Sequence, residues 1–378
     1  MESDHVLTNA RLVLPDGVRT GSLAMRGGRI ADLAEGPARG PGAEDLDGDF
    51  LLPGIVDLHT DNLERQVLPR PNARWPSRSA LLAHDAQCAA AGVTTAFDGL
   101  CLGDTGLDSG RAQTCRDAVA DLDALATSGL LRAEHFLHLR CELPAPDLLE
   151  ALEKVAGHRL VRLASLMDHT PGVGQYADLD YFRHVRRPQC ADEAALEAMI
   201  EHAQALRAAW RAGNRAGLLA RFAGSGVVLA SHDDGTEAEV AEAAALGIGI
   251  SEFPTTLTAA RAARAHGLAV VAGAPNLVRG GSHSGNVAVA TLLEAGVLDA
   301  LASDYVPPAP LDAAFALARA GRPLAEAVAL VSAHPARLVG LTDRGWLAPG
   351  LRADLVRVRL HDGQPVVRQV WRDGVIVA

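Results

Sequence analysis

The amino-acid sequence predicts an α/β protein in two parts: a (β/α)8 barrel of the TIM type and a small β-sandwich formed from both termini. Three observations predict it. Apolar strands alternate with Ala-rich helical stretches through the middle of the chain, which implies a parallel sheet. The two ends instead carry short apolar runs broken by turn dipeptides, the texture of antiparallel β-structure. Eight strands can be counted in the middle over about 250 residues, which suits a closed barrel in both number and size.

From the N-terminus, apolar runs and turns follow one another as His5-Val-Leu, Arg11-Leu-Val-Leu, Pro15-Asp-Gly, Ser22-Leu-Ala-Met and Gly27-Gly-Arg-Ile. The C-terminus repeats this in Ala353-Asp-Leu-Val-Arg-Val, Pro365-Val-Val-Arg-Gln-Val-Trp and Gly374-Val-Ile-Val. Residues 1–53 and 340–378 are therefore expected to pair into one small domain, leaving 54–339 to the barrel. Barrel strands are expected at 54–59, 93–100, 136–143, 160–169, 226–233, 248–253, 269–276 and 298–305, with helices at 194–213, 237–245 and 256–266.

Composition narrows the function. With 378 residues and 48% hydrophobic content the chain can bury a large core. Its net charge of -11 argues against general nucleic-acid binding, which needs a surplus of basic side chains. No charged and then apolar leader opens the chain and no apolar run reaches about 18 residues, so no membrane partner is expected and the cytoplasm is the expected location. The five cysteines, at 88, 101, 115, 141 and 190, lack CxxC spacing and suggest neither disulfides nor a thiolate zinc site.

Barrels of this type place chemistry at the C-terminal ends of their strands. The first expected strand, Leu51-Leu-Pro-Gly-Ile-Val-Asp-Leu-His59-Thr-Asp61, ends on a histidine and a carboxylate two residues apart, which a strand turns to one side. Similar endings recur: Glu142, His169, His232 with Asp233 and Asp234, Glu252, Asn276 and Asp304. One polar strand end is ordinary, and polar ends on nearly every strand are not. Imidazole and carboxylate together suit Zn, Mn or Fe, so His59, Asp61, Glu142, His169, His232 and Asp304 are the expected ligands of one or two divalent ions, with Glu142 as a bridge. Asp304 and His232 are the expected catalytic residues. Glu252 and Asp233 are read as outer contacts or buried caps. After the seventh strand, Asn276-Leu-Val-Arg279-Gly280-Gly281-Ser282-His283-Ser-Gly285-Asn286 offers backbone amides, Arg279 and His283 as a phosphate cradle. Asn276 and Glu252 are expected to touch the substrate as well.

Taken together, the Pro-Gly-Ile-Val-Asp-Leu-His strand, Gly92-Val-Thr-Thr, Ser303-Asp304 and the closing Pro349-Gly-Leu-Arg-Ala-Asp-Leu-Val resemble the amidohydrolase superfamily over nearly the whole chain. More narrowly, His59-Thr-Asp-Asn-Leu-Glu64, His138-Leu-Arg-Cys-Glu142, Leu166-Met-Asp-His-Thr-Pro171, Ser231-His-Asp-Asp234 and Ser251-Glu-Phe-Pro-Thr-Thr256 resemble its phosphonate-metabolism branch. Most of the superfamily carries His-x-His on the first strand, and many members bridge their metals with a carboxylated lysine. Here the motif is His59-Thr60-Asp61, and the sole lysine, Lys154, lies in a polar helical stretch.

The resemblance implies a metal-dependent hydrolase that cleaves a ribose 1-methylphosphonate 5-triphosphate to the 5-phosphate and pyrophosphate, by attack of water at the α-phosphorus. Its partner is then a small phosphorylated sugar, with other proteins of the C-P lyase pathway and a second copy of the chain left open. Two further readings stand beside it: a deaminase or cyclic amidase on the same barrel, and a scaffold without catalysis, which the retained strand-end ligands disfavour.

Overall fold

The computed structural model describes residues 5–38, 42–70, 73–107, 110–282 and 284–378. Its strands, in chain order, are β1 (His5–Leu14), β2 (Gly17–Arg26), β3 (Arg29–Glu35), β4 (Ala43–Asp45), β5 (Phe50–Pro53), β6 (Ile55–Thr60), β7 (Val93–Leu102), β8 (Glu134–Glu142), β9 (Val161–Met167), β10 (Val228–His232), β11 (Ile250–Glu252), β12 (Ala269–Gly273), β13 (Ala300–Ala302), β14 (Leu355–His361), β15 (Gln364–Arg372) and β16 (Val375–Ile376). They form two sheets. The terminal one runs β16-β15-β14-β5-β1-β2-β3, with β4 added beside β1. Most of its pairings are antiparallel, while β4 and β5 run parallel to β1. Its core holds Leu7, Leu12, Leu23, Ile30, Leu51, Leu355 and Trp371, drawn from both ends of the chain.

The second sheet is ordered β6 through β13 and its resolved pairings are parallel. A parallel bridge between Thr60 and Asp304 links the segment after β13 to the end of β6, which makes the sheet a nearly closed barrel. Every residue of β6 and β7 is buried, as strands covered on both faces require. The Pro53-Gly54 turn has a steric reason: a Cβ at Gly54 would collide with the Thr94 side chain. Helices alternate with these strands, including Leu148–Val155, Glu193–Phe222, Glu237–Ala245 and Leu257–Ala265. The helix Glu237–Ala245 opens on a capping box, with Thr236 and Glu239 each bonding the other's backbone.

By contacts the chain divides into two compact units, Met1–Asp98 with Asp121–His135 and Asp299–Ala378, and Gly99–Ala120 with Phe136–Leu298. Among the described residues, no helix is long and apolar enough to cross a membrane. The expected strand through Asn276 is corrected. β12 stops at Gly273, and Asn276 and Arg279 lie on a short helix, Ala274–Arg279, with Pro275 in its first turn, where its missing N–H costs nothing.

Candidate metal centres

In the first unit the chain leaves β6 through His59 and Asp61. Asp61 lies just past the strand, as the N-cap of the helix Asn62–Val67, yet its Oδ1 is 3.4 Å from His59 Nε2. Asp304 completes the group: one ligand atom each from His59, Asp61 and Asp304 fall within 4.8 Å of one another. The backbone fixes the third member. Asp304 N–H donates to His59 O at 2.9 Å and Asp304 O accepts from Asp61 N at 2.7 Å. The buried Asp57, on the same strand, accepts from Ser303 N at 2.9 Å, and burial pushes its carboxyl up to about 6.

The second unit holds a second group at the ends of β8 to β11. His169 Nε2 and His232 Nε2 lie 3.7 and 3.6 Å from Asp233 Oδ2. That oxygen is buried and has no hydrogen-bond partner. Each imidazole is aimed from behind by a glutamate: Nδ1 of His169 donates to Glu142 Oε2 and Nδ1 of His232 to Glu252 Oε2, both at 2.7 Å. Glu142 Oε1 also accepts the His169 backbone N–H at 2.9 Å. Burial works to raise the Glu142 pKa, and the His169 charge and hydrogen bonds more than offset it, bringing it down to about 2. For His169 burial works downward and Glu142 upward, and the net shift is upward. Glu252 is held in turn by Ser165, whose hydroxyl donates to Oε2 at 2.9 Å and which also pairs with His138.

Residues beside the ligand atoms hold the loops. Asp168, next to His169, accepts from Arg207 Nε at 2.7 Å and from the Thr170 hydroxyl at 2.6 Å. Asp234 accepts the hydroxyls of Ser231 and Ser251 at 2.5 and 2.6 Å, so it anchors the turn while Asp233 points to the histidines. Asp233, Phe253 and Asp304, each one or two residues past a strand, have positive φ of 58°, 54° and 55°. Such backbone is uncommon for non-glycine residues and collects at functional sites.

These donor sets fit divalent cations. Two ligands about 2.0–2.2 Å from a tetrahedrally coordinated ion stand roughly 3.3–3.6 Å apart, close to the separations seen here. A metal-binding histidine almost always gives its other N–H to a carboxylate, a backbone carbonyl or a water, and His169 and His232 give theirs to glutamates. An unpartnered buried carboxylate oxygen between two imidazoles calls for a cation or a proton.

The structure thus brings His59, Asp61 and Asp304 into one group and His169 and His232 into another. Glu142 stands behind His169 with both oxygens engaged, and Glu252 stands behind His232. Asp233, given an outer role by its sequence, sits among the ligand atoms; His138 opens the His138-Leu-Arg-Cys-Glu142 motif without a role assigned to it, and Ser165 has no sequence signal beyond lying on an apolar strand. Asn276 uses its amide on backbone, donating to Val287 O at 3.2 Å and accepting from Val289 N at 2.9 Å. Arg279 and Gly280 are exposed, Gly281 and Ser282 half-buried, and His283 lies outside the described residues. Lys154 is a surface residue paired with Glu150 at 2.7 Å, far in kind from a strand-end bridge.

Known proteins resemble this chain in sequence and in fold. Residues 187–378 match the model of the amidohydrolase family. The alpha-D-ribose 1-methylphosphonate 5-triphosphate diphosphatase of Escherichia coli (strain K12) is 43% identical over 373 residues, 98% of this chain and 99% of that protein. Among solved structures, a Xaa-Pro dipeptidase with bound methionine superposes with a TM-score of 0.66 at 17% identity, covering 99% of each chain. The N-isopropylammelide isopropylaminohydrolase of Burkholderia multivorans superposes with a TM-score of 0.63 at 20% identity, over 99% of this chain and 98% of the other.

Proposed function

The chain belongs to the amidohydrolase family, and from that premise we propose that it is a metal-dependent hydrolase cleaving α-D-ribose 1-methylphosphonate 5-triphosphate to the 5-phosphate and pyrophosphate. The observation that carries metal dependence is the unpartnered Asp233 Oδ2 between His169 Nε2 and His232 Nε2. The substrate rests on the 43% identity to the diphosphatase over nearly the full length of both chains.

In this reading His169, His232 and Asp233 hold one divalent ion, Zn or Mn, and His59, Asp61 and Asp304 provide for a second. Because both oxygens of Glu142 serve His169, Glu142 acts by orienting that ring in place of bridging. A cation so held supplies acidification of water and screening of the charge on the transferring phosphoryl group. Asp304 takes the proton of the attacking water. Water enters at the α-phosphorus, the bond to the bridging oxygen breaks, and pyrophosphate leaves with that oxygen. Arg279, His283 and the amides of Gly280, Gly281 and Ser282 hold a phosphate-bearing end of the substrate, with Asn276 setting the loop that carries them.

The test is phosphorus NMR of the metal-loaded chain with the ribose phosphonate triphosphate in 18O water. Pyrophosphate should be the first product, and the isotope should appear in the sugar monophosphate. Orthophosphate first, or label in the pyrophosphate, would overturn the placement of attack. Ammonia release from an aminopyrimidine with no turnover of the triphosphate would favour the deaminase reading.

A further inference from the structure

A line of buried polar groups ends at the residue after Asp61, and the chemistry above uses none of it. Asp85 accepts the backbone N–H groups of Arg132 and Ala133 at 2.9 Å and lies 3.2 Å from His135 Nε2. His135 Nδ1 is 2.9 Å from Asp98 Oδ2, and Asp98 Oδ1 is 2.7 Å from His84 Nε2. His84 Nδ1 accepts from Asn62 Nδ2 at 3.0 Å, and the same Asn62 amide donates to Gln87 Oε1 at 3.0 Å. Asn62, His84, Asp85, Asp98 and His135 are all buried.

The proton positions follow from the donors. Asn62 Nδ2 can only donate, so His84 Nδ1 accepts and His84 Nε2–H faces Asp98. His135 meets a carboxylate at each nitrogen and is an imidazolium. The separations of 2.7 to 3.2 Å are those of hydrogen bonds, and shorter than the roughly 3.3 Å between ligands on a tetrahedral ion. The group is therefore a bonded chain and not a further metal centre.

That chain holds a short segment of backbone. Thr60 pairs with Asp98 in the register of β6 and β7, Asp61 N–H is taken by Asp304 O, and the Asn62 side chain is gripped by His84 and Gln87. We propose that His84 and Asp98 are positioning residues which act through the Asn62 amide to hold Asp61 where it can share a cation with His59. The inference rests on the reading of Asp61 as a metal ligand.

The test measures, by competition with a chromophoric chelator, the Kd of the cation lost in Asp61→Ala, in the full chain and in Asn62→Ala, His84→Ala and their double variant, with Tm recorded for each. Each single variant should weaken binding about 10-fold or more. The double should be no weaker than the worse single, because both changes break one line of force. An unchanged Kd with a lowered Tm would reduce the chain to a structural role, and additive losses would break the route through Asn62; either overturns the proposal. Loss of an extra metal equivalent in His84→Ala would overturn it by making the cluster a metal centre. An unchanged Kd in Asp61→Ala overturns the ligand assignment and this inference together, whereas a weakened Asp61→Ala beside an unchanged Asn62→Ala overturns positioning alone. Should His84→Ala fail to fold, Gln87→Ala removes the other acceptor of the Asn62 amide and must itself weaken binding several-fold.

Discussion

Glu142 meets His169 twice, through the backbone N–H at 2.9 Å and through Nδ1 at 2.7 Å. One carboxylate thus fixes both the position of the residue and the tautomer of its ring, leaving the Nε2 lone pair for a cation. Glu142→Gln keeps the shape and loses the charge. It should weaken metal binding by about 10- to 100-fold, the usual cost of losing such a partner, and excess metal should restore much of the rate. Chelator competition checks the first and activity against added Zn or Mn the second. Unchanged affinity would mean that His169 binds no metal.

Asp233 and Asp234 are neighbours with opposite duties. Asp233 Oδ2 has no hydrogen-bond partner, whereas Asp234 Oδ2 accepts two hydroxyls. Asp233→Ala should remove about one equivalent of metal together with the activity, and Tm should change little at low metal. Asp234→Ala leaves Ser231 and Ser251 without their buried acceptor and should cost about 1–3 kcal/mol of stability while metal content per folded chain is kept. Metal analysis and thermal melts of the two variants decide the assignment, and interchanged results would reverse it.

The same pair shows where reading the sequence stops. Two adjacent aspartates after a strand are equivalent in sequence. Which one points inward depends on the left-handed backbone at Asp233 and on serines supplied by two strands. The barrel, by contrast, was legible, because eight apolar runs alternating with helices admit few alternatives. The pairing of His59 with Asp61 is legible too, although strand alternation alone does not produce it: Asp61 lies beyond the strand and reaches His59 from a helix cap. Asn276 shows the limit at an element end, since an apolar run entering a helix looks like a longer strand until Pro275 is placed. The buried line through His84, Asp98 and His135 left no signal, because its members are 14 and 37 residues apart and occupy positions that patterning assigns to apolar side chains.

Asp304 is built so that the proposed base can be removed without moving the chain. Its φ of 55° is a conformation asparagine also accepts, and its backbone bonds to His59 and Asp61 do not involve the side chain. Asp304→Asn should therefore lower kcat by about 10² to 10⁴, the range for a positioned base, with a much smaller loss of metal. Parallel kcat and metal measurements test this, and a fall in occupancy matching the fall in rate would make Asp304 a ligand first.

Lys154 belongs to an exposed pair with Glu150, with side-chain exposures of 62% and 77%. Such pairs are worth less than about 1 kcal/mol. Lys154→Ala should leave kcat, metal content and Tm nearly unchanged, and activity should not respond to bicarbonate. A strong bicarbonate requirement would show that a carboxylated lysine is part of the site.

His135 gives the fold a defined alkaline limit. Burial alone would lower its pKa, but Asp98 and Asp85 raise it to about 10. A histidine whose folded pKa lies above its unfolded value near 6.5 stabilises the fold fully below 6.5, and that contribution fades as pH rises toward 10. The carboxylates act at the other end. Asp85 and Asp98 are lowered against the pull of burial, by His135 in both cases and by His84 as well for Asp98, so their contribution is present above about pH 4 and is lost as the pH falls below it. Between these limits the buried line is at full strength, so its contribution to stability should be constant from about pH 4 to 6.5 and then decline through the alkaline range. His135→Gln should lower Tm at pH 6 and flatten that alkaline decline, because the neutral amide has no proton to lose. Thermal melts across pH for the parent chain and the variant check this, and an unchanged slope between pH 6.5 and 10 would show that His135 is not charged in the folded protein.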